Sequence, residues 1–114
     1  MAIDNIIHMT KNYYYCSECD TIILSWVISE DNINKLVSGL TDLDIKTYII
    51  TLVCDIDSLI DRWNKDKIVE WRTDEWLKHS IKSISSYKNR TSSIVIDTSY
   101  IDIQGVVNKI IEQL

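Results

Sequence analysis

Along this chain the spacing of apolar residues switches repeatedly between a helical and an extended period, the mark of helices alternating with strands. Ile3, Ile6, Ile7, Thr10 and Tyr14 recur at three and four and predict an amphipathic helix over about 4–15. Residues 21–28, Thr-Ile-Ile-Leu-Ser-Trp-Val-Ile, are a short apolar run rich in β-branched side chains. Such a run predicts a strand covered on both faces, as in parallel sheets. Ser29 or Asp31 then stands where a helix cap belongs, ahead of the stripe Ile33, Leu36, Val37 and Leu40. Gly39 and residues 41–44 end that helix.

A second buried strand is predicted over 46–54, and Asp55 caps a helix carrying Ile56, Leu59, Ile60 and Trp63. Residues 64–72 are polar and charged and read as an exposed loop. Thr73, with Asp74 and Glu75 in the first turn, opens a helix with Leu77, Ile81, Ile84 and Tyr87 inward. The last strand covers 93–97. Ser99 or Asp102 caps a closing helix with Ile103, Val106, Val107, Ile110, Ile111 and Leu114 on one face. The order α-β-α-β-α-α-β-α predicts an α/β fold, a parallel sheet of about three strands flanked by helices. No repeat, low-complexity tract or linker divides the chain, so 1–114 reads as a single domain.

Composition narrows the functions. At 114 residues, 46% hydrophobic and 25% charged, the chain has the make-up of one globular domain. Its net charge of −5 argues against nucleic acid as a partner. The apolar runs fall far short of the ~20 residues a membrane span needs, so no membrane partner is expected. With only Gly39 and Gly105, far apart, neither a G-x-x-x-x-G-K-[ST] phosphate loop nor a dinucleotide fingerprint is present. Residues 1–9 hold Asp4 and no Lys or Arg, unlike a targeting peptide, so a reducing, cytoplasmic setting is expected.

Candidate chemistry is sparse. Cys16 and Cys19 form a C-x-x-C pair, a spacing used in redox and metal sites. Three tyrosines precede it and an apolar strand is predicted just after it, so the favoured reading is a pair of partly buried connector cysteines. Zinc would need further ligands, and only Cys54, His8 and His79 are on offer; no metal site is expected. In open α/β sheets ligands bind beyond the carboxyl ends of strands, here 25–31, 54–57 and 97–100. The Ser, Thr and Asp residues there read first as helix caps. Arg62, Lys65, Lys67 and Arg72 form a basic cluster, either an anion site or a solvated helix end neighboured by Asp61, Asp66 and Glu70. No nucleophile–base set emerges.

Three stretches in order carry a family resemblance: Leu-Val-Cys-Asp-Ile-Asp-Ser-Leu-Ile-Asp-Arg at 52–62, Arg-Thr-Asp-Glu-Trp-Leu at 72–77, and Ile-Asp-Thr-Ser at 96–99. From about residue 20 onward the chain resembles the C-terminal part of small P-loop kinases. These are the adenylate-, shikimate- and gluconate-kinase-like enzymes and the related nucleotide-kinase-like AAA-type ATPases. The resemblance implies a truncated three-layer sandwich with a lid-like segment at about 64–73. Arg72 falls at the lid arginine, the catalytic position that stabilises charge on the transferring phosphoryl group. Arg62 falls where a helix arginine packs near adenine or reaches the phosphates, and Thr98 and Ser99 fall in the loop lining the adenine. Residues 26–29 follow the strand that faces the acceptor substrate.

ATP and Mg²⁺ are the cofactors of the parent family. The family's first strand, its glycine-rich loop with Lys and the following helix have no counterpart here, so the chain resembles an N-terminally shortened kinase. That implies a fragment that is not catalytic alone and binds neither cofactor tightly. Lacking the central strand, the strands at 21–28 and 46–54 either pair directly or are completed by a second chain in a homodimer. A self-associating interaction domain with a vestigial nucleotide surface is the alternative function. An active phosphotransferase completed by a separate chain is the third.

Overall fold

The computed structural model describes residues 2–16, 18–66 and 73–114. It is mixed α/β, with five helices and a two-stranded parallel sheet among the described residues. Two compact units are distinguished, Met1–Lys46 and Thr47–Leu114.

The first unit holds α1 (Ala2–Tyr14) and α2 (Glu30–Ser38), packed on each other. Ile33 of α2, then Leu40 and Leu43 beyond it, are buried, together with Thr10 of α1. The Thr10 hydroxyl donates to the Ile6 carbonyl at 2.7 Å, so its burial leaves no unpaired polar group. Gly39 ends α2 against α1: a Cβ there would collide with the Ile7 side chain. The glycine is needed for closeness of approach, its φ of −73° being ordinary. Lys11 and Asp42 tie α1 to the turn after α2 by a 3.0 Å ion pair.

The second unit runs β1 (Ile50–Val53), α3 (Ile56–Lys65), α4 (Asp74–Lys88), β2 (Ile94–Asp97) and α5 (Ile103–Glu112). β1 and β2 pair in parallel, Ile50 opposite Ile94 through Val53 opposite Asp97. Backbone bonds from Ile94 to Ile49 (2.8 Å) and from Thr98 to Val53 (2.7 Å) extend the ladder at both ends. α4 packs on β1 and α5 on β2. Thr51, Val53, Trp63, Ile96 and Thr98 form the buried centre.

Helix starts follow local chemistry closely. Ser29, Asp55, Thr73 and Asp102 each accept a backbone N–H three residues on, the N-cap bond that satisfies an orphan donor. Ser29 rather than Asp31, and Asp102 rather than Ser99, take the caps that the sequence left open.

Strands depart from expectation. Residues 21–28 form no strand, and Ile23 (85% exposed), Trp26 (46%) and Val27 (82%) face outward. The run predicted over 46–54 is extended as a strand only at 50–53. β-Propensity expresses the fit of a side chain to a paired, covered surface, and it makes no strand where no neighbouring strand accepts the backbone bonds. α5 shows the same deficit of cover: Val106 and Ile110 are half-buried, whereas Ile103, Val107, Ile111 and Leu114 of the expected inward stripe are exposed. A two-stranded ribbon is too narrow to bury a whole helix face. Of the lid-like segment expected at 64–73, residues 67–72 lie outside the described residues.

Two tryptophans test where this unit's stability resides. Trp63 is 7% exposed and Trp76 is 54% exposed. Trp63→Ala is expected to cost about 3–5 kcal/mol, enough to unfold the unit, and Trp76→Ala under about 1 kcal/mol. Urea unfolding of both variants checks the contrast.

A candidate ligand site at the strand ends

β1 and β2 run side by side, so their carboxyl ends open on one side of the ribbon, where the loops 54–55 and 98–102 leave for α3 and α5. Arg62, one turn from the end of α3, reaches back to this point. One terminal nitrogen donates to Thr98 Oγ1 at 2.9 Å and the other to the Thr98 carbonyl at 2.6 Å. The Thr98 hydroxyl in turn donates to the Val53 carbonyl at 2.9 Å. Thr98 therefore joins both strand ends and α3 through one buried side chain.

Ser99 makes a second bridge. The Asp55 backbone N–H donates to Ser99 Oγ at 2.7 Å, and the Ser99 N–H donates to Asp97 Oδ1 at 2.9 Å. Asp97 is held below the usual carboxylate range by the Ser99 hydroxyl and N–H, with Lys88 helping. Asp55 is likewise held low, first by the N–H and hydroxyl of Ser58 and then by the Tyr100 hydroxyl. Tyr100 donates to that carboxylate from a backbone with φ of 61°, the left-handed region that a bulky residue rarely occupies. The same hydrogen bond, and Asp55's charge, push the Tyr100 phenol upward. Burial pushes the Cys54 thiol up, against the pull of Arg62.

Beside this knot lies an open hollow of about 820 Å³. Leu52 and Val53 of β1 and Val106 and Val107 of α5 make its apolar walls, and Cys54, Arg62 and Thr98 supply polar edges. The arrangement offers a greasy slot with one cation at its rim. Asp102 also lines it, and the ionised carboxylates of Asp55 and Asp97 stand nearby, already held by donors from Ser58, Tyr100 and Ser99.

Of the residues the sequence singled out, Arg62, Thr98 and Ser99 come together here; Arg72 lies outside the described residues, as does Lys67. Lys65 of the basic cluster turns instead to Asp61 at 2.9 Å. His8 and His79 are exposed on separate helices. Among the described residues no group of three or more His, Cys, Asp or Glu is placed to hold a metal ion. No helix among them is long and apolar enough to cross a membrane. Tyr100 closes the strand-end segment 97–100, although no local signal marks it for positive φ, and Lys88 is missed because it arrives only through the fold.

Comparisons with family models, with curated proteins and with solved structures return no match for this chain.

The depressed carboxylates set a pH dependence with a definite sign. Their folded pKa values lie below the unfolded value of about 3.9, so their contribution is complete above that value. It is lost as pH falls through the folded pKa values. Urea midpoints measured against pH should therefore fall from about pH 4 downward. Asp97→Asn should lower the neutral-pH midpoint and make the acid limb shallower.

Proposed function

We propose that this chain is a non-catalytic binding domain that accepts the flat, base-bearing end of a nucleotide-like molecule, the nucleotide side of a small P-loop kinase without its phosphate cradle. One observation carries this reading: Arg62 and Thr98 line an apolar hollow beyond the strand ends, the ligand end of α/β sheets, with Ser99 next to Thr98 bridging to Asp55. A purine-sized ring is mostly apolar surface and fits the Leu52, Val106 and Val107 walls. Arg62 spends two of its five N–H donors on Thr98 and keeps the others for a ligand.

A polyphosphate tail fares worse. In-line transfer needs backbone N–H groups, a Lys and Mg²⁺ around the β- and γ-phosphates, and two distant glycines cannot build that loop. The charges of Asp55 and Asp97 also oppose an anion at the strand ends. In this reading the lid arginine Arg72 has no cradled phosphate on which to act. The three free thiols suit a reducing, cytoplasmic setting.

Chemical-shift titration tests the reading. Adenosine and magnesium–ATP should both perturb Thr98, Val106 and Val107 with dissociation constants of about 1 mM and within about three-fold of each other. No phosphoryl transfer or ATP hydrolysis is expected. Silence from both ligands would refute the proposal, and so would a magnesium-dependent turnover abolished by Arg72→Ala.

A self-associating interaction domain is the second reading, favoured by the outward-facing Ile23, Trp26 and Val27 in a run without charge. In that case 21–28 becomes the third strand of a kinase-like sheet by pairing with a second copy, as exposed strand edges do. Sedimentation equilibrium should then give a concentration-dependent homodimer. A strict monomer across the accessible range overturns this second reading and leaves the first standing.

A further inference from the structure

The C-x-x-C pair is the one motif that the strand-end site leaves unused. Its cysteines are exposed, rather than partly buried as the sequence suggested. They sit in a turn after α1, with the Cys16 N–H bonded to the Tyr13 carbonyl at 3.1 Å and the Cys19 N–H to the Cys16 carbonyl at 3.2 Å. The second bond closes a turn of the i to i+3 type, which holds the two Cα atoms within about 7 Å. A disulfide needs nearly the same span, about 4.4–6.8 Å, with the two Cβ atoms converging. The two side chains flank this one turn and both are open to a small oxidant. Residues 21–28 form no strand, so one of the two features that favoured a connector role is absent, while the tyrosines at the end of α1 still precede the pair.

We propose that Cys16 and Cys19 are an oxidisable dithiol that closes to an intrachain disulfide by exchange with a low-molecular-weight disulfide. The Cys16 thiolate attacks one sulfur of that disulfide, forming a mixed disulfide and expelling one small thiolate. Cys19 loses its proton to solvent and attacks the Cys16 sulfur, expelling the second. Two protein thiols are thereby oxidised by two electrons, and the small disulfide is reduced to two thiols. Partial desolvation and the neighbouring Cys16 and Asp20 push the Cys19 thiol up, which leaves Cys16 as the first nucleophile. A thiol that resists ionisation lends little stability to the reduced form, so the disulfide competes well with the dithiol. Closure would lock the turn between α1 and residues 21–28. Cys54, half-buried, stays outside the exchange.

The test uses the full chain carrying Cys54→Ser, equilibrated with equimolar reduced and oxidised glutathione and then quenched with an alkylating agent. Intact mass should fall by about 2 Da, for two hydrogens lost, with neither cysteine alkylated and no interchain species on a non-reducing gel. Adding Cys19→Ser should trap a stable glutathione adduct on Cys16. Persistent adducts in the dithiol protein, disulfide-linked dimers, an unreactive Cys16 in the Cys19→Ser chain, or stoichiometric zinc protecting the pair would each overturn the proposal.

Discussion

Everything in the second unit depends on how Thr98 spends its polar atoms. Its N–H and hydroxyl both bond the Val53 carbonyl, and its carbonyl and Oγ1 both receive Arg62. A parallel pair of four residues has few ladder bonds and no sheet on either side among the described residues. A two-stranded ribbon of this size is marginal by itself. The four bonds at Thr98 add a cross-link between both strands and α3 at the point where the ladder would otherwise fray. Because Thr98 is buried, these bonds are shielded from competing water, and leaving any of the groups unpaired would carry the full desolvation cost.

That arrangement also explains the character of the candidate site. The arginine at its rim is committed in part to architecture, and the nearby carboxylates are committed to holding the two loops. Charge here is organised to hold loops in place. The apolar hollow is what remains for a ligand, and it is bounded by a helix that the narrow sheet covers only in part. The hollow and the exposed face of α5 thus have one origin: they are surface that a wider sheet would have buried.

Legibility in the sequence followed the range of the forces involved. The caps at Ser29, Asp55, Thr73 and Asp102 were readable because a cap bond spans three residues. The apolar cores at Ile33 and Trp63 were readable because helical periodicity is local. Residues 21–28 were misread because a strand is a property of pairs, and its partner is not written in its own residues. Arg62 is visible in the sequence as part of a basic cluster, and Thr98 and Ser99 as part of the segment beyond the last strand. Their actual geometry, with Thr98 as the hub, was not legible, and neither was Tyr100, whose φ is set by the loop it closes.

The parallel ladder has a further consequence, for the order of events during synthesis. Thr98 and Val53 are 45 residues apart in the chain, and no local hairpin can bring them together. Pairings at such separation pay their loop-closure entropy before any contact repays it, so helices α3 and α4 should form well before the ribbon does. On a ribosome, at about 5–20 residues per second, β1 waits roughly two to nine seconds for its partner to be made. Through that interval Ile50, Leu52 and Val53 sit in a nascent chain with an unpaired edge. Thr98 is thus among the last to take up its position, and a co-translational binder of apolar segments would find its target upstream of it.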